Sequence, residues 1–206
     1  MYCVRKVIPV FILLIAGLVF AGPATGQAEQ NKPLDPNLEA TLHVLLGSGR
    51  GETGDPLPSS LNSVARQLRS EFGVENVRLL NTYHGRIGNG GSLDYKGVSS
   101  AFVQEAMPGS PSVLEWRLVD LRNVANNPGG SVYLAQLVSF GARVPVRIGN
   151  RDESGKTSGA INYESVGLNL QKVSVSNATP TMIGTLNQPN SSATLYLVLT
   201  VKSVEK

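Results

Sequence analysis

The sequence predicts an α+β domain: one strand–helix–strand unit followed by a long antiparallel meander curled into a sandwich or partial barrel. Three observations carry that expectation. Apolar and polar residues alternate over most of the chain beyond residue 37, the period of a half-buried strand. One segment, beginning at Ser59, instead spaces its apolar residues as a helix does. Glycine and proline, 22 and 12 of 206 residues, gather between these segments as turn signals.

Taken in order, Leu38, Ala40, Leu42, Val44 and Leu46 fall on one face of a first strand, with Glu39, Thr41 and His43 on the other. A glycine-rich loop runs from Gly47 to Pro58. The helix starts at Ser59, with Ser59 or Ser60 as its cap. It carries Leu61, Val64, Ala65, Leu68 and Phe72 on one stripe, turns Arg66, Arg69 and Glu71 to solvent, and stops at Gly73. A strand over Val77 to Ile87 follows, with Leu79, Tyr83 and Ile87 on one side. Further strands are expected over Ser92–Val98, Val113–Val124, Val132–Val146, Tyr163–Val175, Thr181–Leu186 and Thr194–Val204. Turns are marked by Asn89-Gly90-Gly91, Asn126-Asn127-Pro128-Gly129-Gly130 and Gln188-Pro189-Asn190-Ser191, and Gly149–Gly159 reads as an exposed polar loop. Trp116 alternates with Leu114 and Leu118, which makes it a core residue.

The first 28 residues read as a secretory signal. Arg5 and Lys6 precede an apolar run from Val7 to Phe20, and Ala21, Gly22, Ala24, Gly26 and Ala28 supply the small-residue exit. The run is shorter than the roughly 20 residues that span a bilayer. The mature chain is therefore expected to begin between Gly22 and Glu29, with 29–37 as a linker, 38–206 as a single domain, and no transmembrane segment of its own. Cys3 precedes the apolar run, so it is not placed as a lipid-anchor cysteine, and a chain with one Cys has no disulfide framework. Residues 1–28 hold two of the 18 Lys and Arg and none of the 15 Asp and Glu, so removing them lowers the net charge from +3 to +1. That balance gives no reason to expect a nucleic-acid partner. Asn177-Ala178-Thr179 and Asn190-Ser191-Ser192 match the glycosylation pattern.

The chemistry-bearing patterns each fail on spacing. Gly49-x-Gly51-x-x-Gly54 stands between a strand and a helix, as a dinucleotide loop does, but Pro56 and Pro58 separate the last glycine from the helix. No acidic residue follows the next strand, where Asn81 and Thr82 stand. Gly155-Lys156-Thr157 has five residues between Gly149 and Gly155 where a phosphate loop needs four, and Asp152 and Glu153 bring negative charge into it. Those two carboxylates are adjacent on an extended chain, so they point apart and make poor acid/base partners. His43 and His84 lie on the more polar faces of their strands and are two donors where a metal site needs three or four. No Gly-x-Ser-x-Gly elbow occurs. Arg117, Arg122, Arg143, Arg147 and Arg151 form either an anion-binding patch or a solvated strand face. No catalytic, cofactor-binding or metal-ligating residue is assigned.

Val166-Gly167-Leu168-Asn169-Leu170, Thr179 to Leu186 and Leu195-Tyr196-Leu197-Val198-Leu199-Thr200-Val201 together resemble the C-terminal β-region of bacterial secretins. There a Val/Ile-Gly-x-x-Leu strand precedes a Gly-Gly-Leu turn and an apolar final strand. Here Gly184-Thr185 stands where the glycine pair would be, and the chain is too short for a ring subunit with its own pore hairpins. The resemblance, over about residues 166–201, implies a β-rich envelope protein accessory to a secretion or pilus assembly, and it carries no functional residue.

The expectation is an exported bacterial protein, periplasmic or extracellular, that works through contacts with another envelope protein rather than by catalysis. The alternatives are a secreted binder of a small ligand or glycan, using the arginine-bearing strands and glycine-rich loops, and a hydrolase with a dispersed site built from His43 or His84.

Overall fold

A computed structural model describes residues 37–48, 57–99, 110–127, 130–151, 157–189 and 193–204. The signal segment, residues 29–36 of the linker, the Gly49–Gly54 loop, Pro128-Gly129, Asp152 to Lys156 and Asn190 to Ser192 lie outside the described residues. Among the described residues eight strands form: β1 (Asn37–Ser48), β2 (Asn76–Gly88), β3 (Gly91–Ser99), β4 (Ser112–Asn127), β5 (Gly130–Arg151), β6 (Thr157–Ser176), β7 (Thr181–Asn187) and β8 (Thr194–Val204). One helix, α1 (Asn62–Phe72), is preceded by a 3-10 turn at Ser59–Leu61.

The strands build two antiparallel four-stranded sheets, ordered β2-β1-β8-β7 and β3-β4-β5-β6. The α+β sandwich expected from the sequence is the fold, and the sheets do not close into a barrel. The meander proper is β3 to β6. The chain then crosses back, and its last strand pairs with its first from Asn37↔Val204 to Gly47↔Thr194.

Alternation explains why these segments bury what they bury. Leu38, Ala40, Leu42, Val44 and Leu46 of β1 and Leu195, Leu197, Leu199 and Val201 of β8 face Leu114, Trp116 and Leu118 of β4 and Val138, Phe140 and Ala142 of β5. Trp116 is 2% exposed, in the core as its spacing required. The opposite faces of β1 and β8 supply a second core, where Leu45, Tyr196 and Val198 meet Leu61, Val64 and Leu68 of the helical segment. β8 is therefore apolar on both faces from Leu195 to Leu199, where it is covered on both sides.

Four details differ from the sequence reading. First, neither Ser59 nor Ser60 caps the helix through its side chain; the entry is made by the backbone, with Leu61 N–H donating to Pro58 O at 2.9 Å. Second, Phe72 is 47% exposed. It is the last residue before Gly73, whose φ of +65° ends α1 in the left-handed region, and it meets only the edge of the Tyr196 ring. Third, Leu79 does not share a face with Tyr83 and Ile87. The β1–β2 register shifts between Val44 and Leu45, Leu80 is the extra residue, and Leu79 turns to the helix-side core. Fourth, the Gly149–Gly159 loop is shorter than expected, because β5 and β6 stay paired through Gly149↔Gly159, Asn150↔Ser158 and Arg151↔Thr157.

Sheet β3-β4-β5-β6 also changes phase along one transverse line. The ladder steps from Val119↔Leu137 to Leu121↔Ala135 and from Leu137↔Gln171 to Ala135↔Val173, passing over Asp120, Gln136 and Lys172. Asp120 and Lys172 take φ of 52° and 55°, and Ser92 Oγ accepts the Asp120 N–H at 3.1 Å. Inward residues are even-numbered on one side of this line, as in Leu118, Val138 and Leu170, and odd-numbered on the other, as in Leu121, Ala135 and Val173. The pairing register is unchanged across this line, so inside and outside exchange in all three strands together.

Burying a large aliphatic side chain is worth about 1.5–3 kcal/mol, and a domain has only about 5–15 kcal/mol in all. Leu197 is fully buried between the sheets. Leu197→Asp is therefore expected to abolish cooperative thermal unfolding, as is deletion of residues 194–206. A near-wild-type melt of either variant, followed by circular dichroism, contradicts the placement of β8 at the centre.

Candidate functional site

The outer face of sheet β2-β1-β8-β7 is divided in two. Its apolar half lies under α1. Its polar half is laid out in rungs that the strand register fixes. One rung is Arg86–Glu39–Lys202, the next His84–Thr41–Thr200, and the third Thr82–His43–Val198. Leu79–Leu45–Tyr196, one step on, already belongs to the helix-side core.

Glu39 is the centre of the polar half. Its carboxylate is only 8% exposed, yet three donors reach it from the two flanking strands. Lys202 Nζ donates to Oε1 at 2.5 Å, and Arg86 donates to Oε2 through Nε and Nη2, both at 3.3 Å. His84 Nε2 lies 3.6 Å from the same oxygen. The hydrogen bond from Lys202 holds the Glu39 carboxyl below the usual carboxylate range, against the opposing cost of burial, with His84 and Arg86 acting in the same direction as Lys202. A carboxylate in this position requires such partners, because an unpaired buried charge is strongly unfavourable.

The two histidines are neighbours, as their strands suggested. Thr41 Oγ1 and His84 Nδ1 share a hydrogen bond of 3.1 Å, and His43 Nδ1 and Thr82 Oγ1 share one of 3.0 Å. Burial pushes the His43 imidazole below its ordinary pKa. Thr41, His84 and Glu39 thus have the connectivity of a hydroxyl–imidazole–carboxylate relay. The carboxylate, however, is gripped more closely by Lys202 and Arg86 than by His84, so it serves as the anchor of an ion-pair rung. Among the described residues, no group of three or more His, Cys, Asp or Glu has metal-site geometry.

Beside this rung is a cavity of about 220 Å³. Its floor is Glu39, Thr41 and His43 of β1 with Thr200 and Lys202 of β8. Ser60, from the turn before α1, and Ala178 and Pro180, between β6 and β7, complete the lining. The Ala178 turn is held against the end of β8: Ala178 N–H donates to Val201 O at 2.8 Å, and Ser203 N–H donates to Asn177 Oδ1 at 3.3 Å.

The other sheet has a depression of about 270 Å³ over the row Asp94–Arg117–Ser139–Asn169. Its charges are matched one to one: Arg117 Nη2 donates to Asp94 at 2.7 Å, and Lys96 Nζ to Glu115 at 3.3 Å. The arginines singled out in the sequence do not converge. Arg117 pairs with Asp94, Arg122 with Asp120, and the Arg143 guanidinium lies 5.8 Å from the centre of the Tyr163 ring. Arg147 and Arg151 are further along β5, opposite Ile161 and Thr157.

Sequence reasoning assigned no role to Glu39, Arg86, Thr200 or Lys202. The one available signal was a glutamate inside an otherwise apolar stretch, Leu38-Glu39-Ala40. No family model, curated protein or solved structure matches this chain.

A carboxyl whose folded pKa is depressed contributes stability above its unfolded pKa, near 4.5 here, and loses that contribution as pH falls through the folded value. Glu39→Gln is therefore expected to lower the melting temperature at neutral pH and to flatten the acid side of its pH profile. Thermal melts from neutral pH down to about pH 3 check this. An acid limb as steep as that of the wild type shows that other carboxylates govern it.

Proposed function

We propose that this chain is an exported envelope protein that acts by binding another protein, and that its contact element is the β5–β6 ribbon. One observation carries the reading. β4 begins at Ser112, but β5 and β6 continue as a pair from Val144↔Glu164 to Arg151↔Thr157. Among the described residues no third strand pairs with this stretch, which is about 26 Å long at the rise of a β-strand.

The start of this stretch is covered, with Val144 and Val146 buried, but beyond Val146 it keeps apolar side chains in water. Ile148 is 56% exposed and Ile161 44% exposed. Tyr163 is partly exposed beneath Arg143 and donates its hydroxyl to Pro111 O at 3.3 Å. Arg143 is exposed on this ribbon, its guanidinium over the Tyr163 ring. Covering one such isoleucine is worth about 1.5–3 kcal/mol, and the exposed Arg143 beside them suits an acidic partner. Pro145, a buried residue just beyond the last pairing of β5 with β4, has no N–H to offer a further strand.

The export reading rests on the charged, apolar and small-residue order of the first 28 residues. Among the described residues, no helix is long and apolar enough to cross a membrane. The resemblance of residues 166–201 to secretins favours a partner in a secretion or pilus assembly. Those residues span β6, β7 and β8, so they contribute to both sheets.

A photo-crosslinking amino acid at Ile148 or Ile161 of the full chain, expressed in a bacterial envelope, is expected to give one discrete adduct. Arg143→Glu is expected to suppress it, and the probe at exposed Val124 of β4 to give none. N-terminal sequencing of the adduct is expected to start between Gly22 and Glu29. Equal labelling from all three positions overturns the ribbon as the contact element. Intact Met1 in a cytoplasmic fraction overturns export.

A further inference from the structure

We propose that the cavity over the Arg86–Glu39–Lys202 rung binds a small monocarboxylate. The inference stands apart from the ribbon and goes beyond protein contacts.

Donor and acceptor capacity decides the sign of the ligand. Glu39 has little capacity left: Lys202 occupies Oε1, and Arg86, with His84 nearby, occupies Oε2. The one carboxylate that lines the space is thus already neutralised and offers little to a cationic ligand. Lys202 is different. Its ammonium has three protons, one is directed to Glu39, and the side chain is half exposed at the cavity. Arg86 and Lys202 against Glu39 leave the rung with a surplus of one positive charge, which suits an anion.

Hydroxyl groups decide the rest. Thr200 lines the cavity, and its Oγ1 is buried with no hydrogen-bond partner among the described residues, an expensive arrangement for a polar atom. Its rung neighbour Thr41 is held by His84, and Ser60 stands at the same space. Thr200 and Lys202 are two residues apart on β8, so both face the cavity and together suit the two oxygens of a carboxylate. Ala178 and Pro180 offer an apolar wall for a short aliphatic tail. Ala178 also holds a φ of 54°, which few non-glycine residues adopt, so the turn that supplies this wall is backed by local strain.

Size sets the class. A space of 220 Å³ accommodates about seven water-sized groups at roughly 30 Å³ each. That matches the size of acetate, propionate or lactate.

The test is amide NMR on the full chain, titrated with acetate and propionate, with sulfate, chloride and glycerol as comparisons. Saturable shifts at Thr200, Thr41 and Ala178 are expected with the carboxylates alone. Thr200→Val, which keeps the shape and all charges, and Lys202→Met are each expected to weaken binding by about tenfold or more. Lys96→Met, at the ion pair on the other sheet, is expected to leave it unchanged. Saturation by sulfate but not acetate overturns the carboxylate class. Linear, non-saturating shifts, or an unaltered titration in a folded Thr200→Val variant, overturn the site.

Discussion

The structure depends on one strand pair, β1 against β8. The two ends of the described chain meet there, and β8 is buried on both faces. Leu195, Leu197, Leu199 and Val201 enter the space between the sheets, while Tyr196 and Val198 enter the core under α1. Neither core is complete without this strand. The same pairing brings Lys202 beside Glu39. A slip of one residue would turn the four inward residues outward and would separate the lysine from the carboxylate. Hydrophobic register and ion-pair geometry therefore agree on one alignment. The contacts are also far apart in sequence, which raises the loop-closure cost before the core can form and implies slow folding.

Much of this was legible from alternation alone. The inward set of β1, the inward set of β8 and the burial of Trp116 all follow from a period of two, and the helix follows from its own period and from Gly73. What alternation does not contain is a change of phase. Leu80 inserts one residue into β2, and at Asp120, Gln136 and Lys172 three strands change phase together without a shift of register. Each of these exchanges inside for outside, and nothing local in the composition announces it. The length of the β5–β6 ribbon was missed because glycines and charges at 149–159 read as a loop, whereas backbone pairing asks only for extended residues.

The polar rungs were illegible for a different reason. Glu39, Arg86 and Lys202 lie on three strands, and their proximity is a property of register. From the sequence, Glu39 was one polar residue on an outward face. In the fold that face is shared: α1 covers its apolar half, and the carboxylate, its cations and the threonines occupy the other. The two halves meet at His43, which neighbours Val198 in the same rung and is correspondingly desolvated. The two functional readings occupy different elements. The ribbon offers apolar and basic surface suited to a protein, while the cavity offers hydroxyls and one surplus charge suited to a small anion.

Native-state hydrogen exchange tests the central role of the β1–β8 pair most directly. If both cores rest on it, the amides of Leu42, Val44, Leu197 and Leu199 exchange only through global unfolding, with protection equal to the stability measured by denaturant. Those of β5 and β6 beyond Val146 then exchange through local opening at lower cost. Protection of β8 no greater than that of the ribbon would contradict the account, because the last strand would then detach while the rest of the sandwich stayed folded.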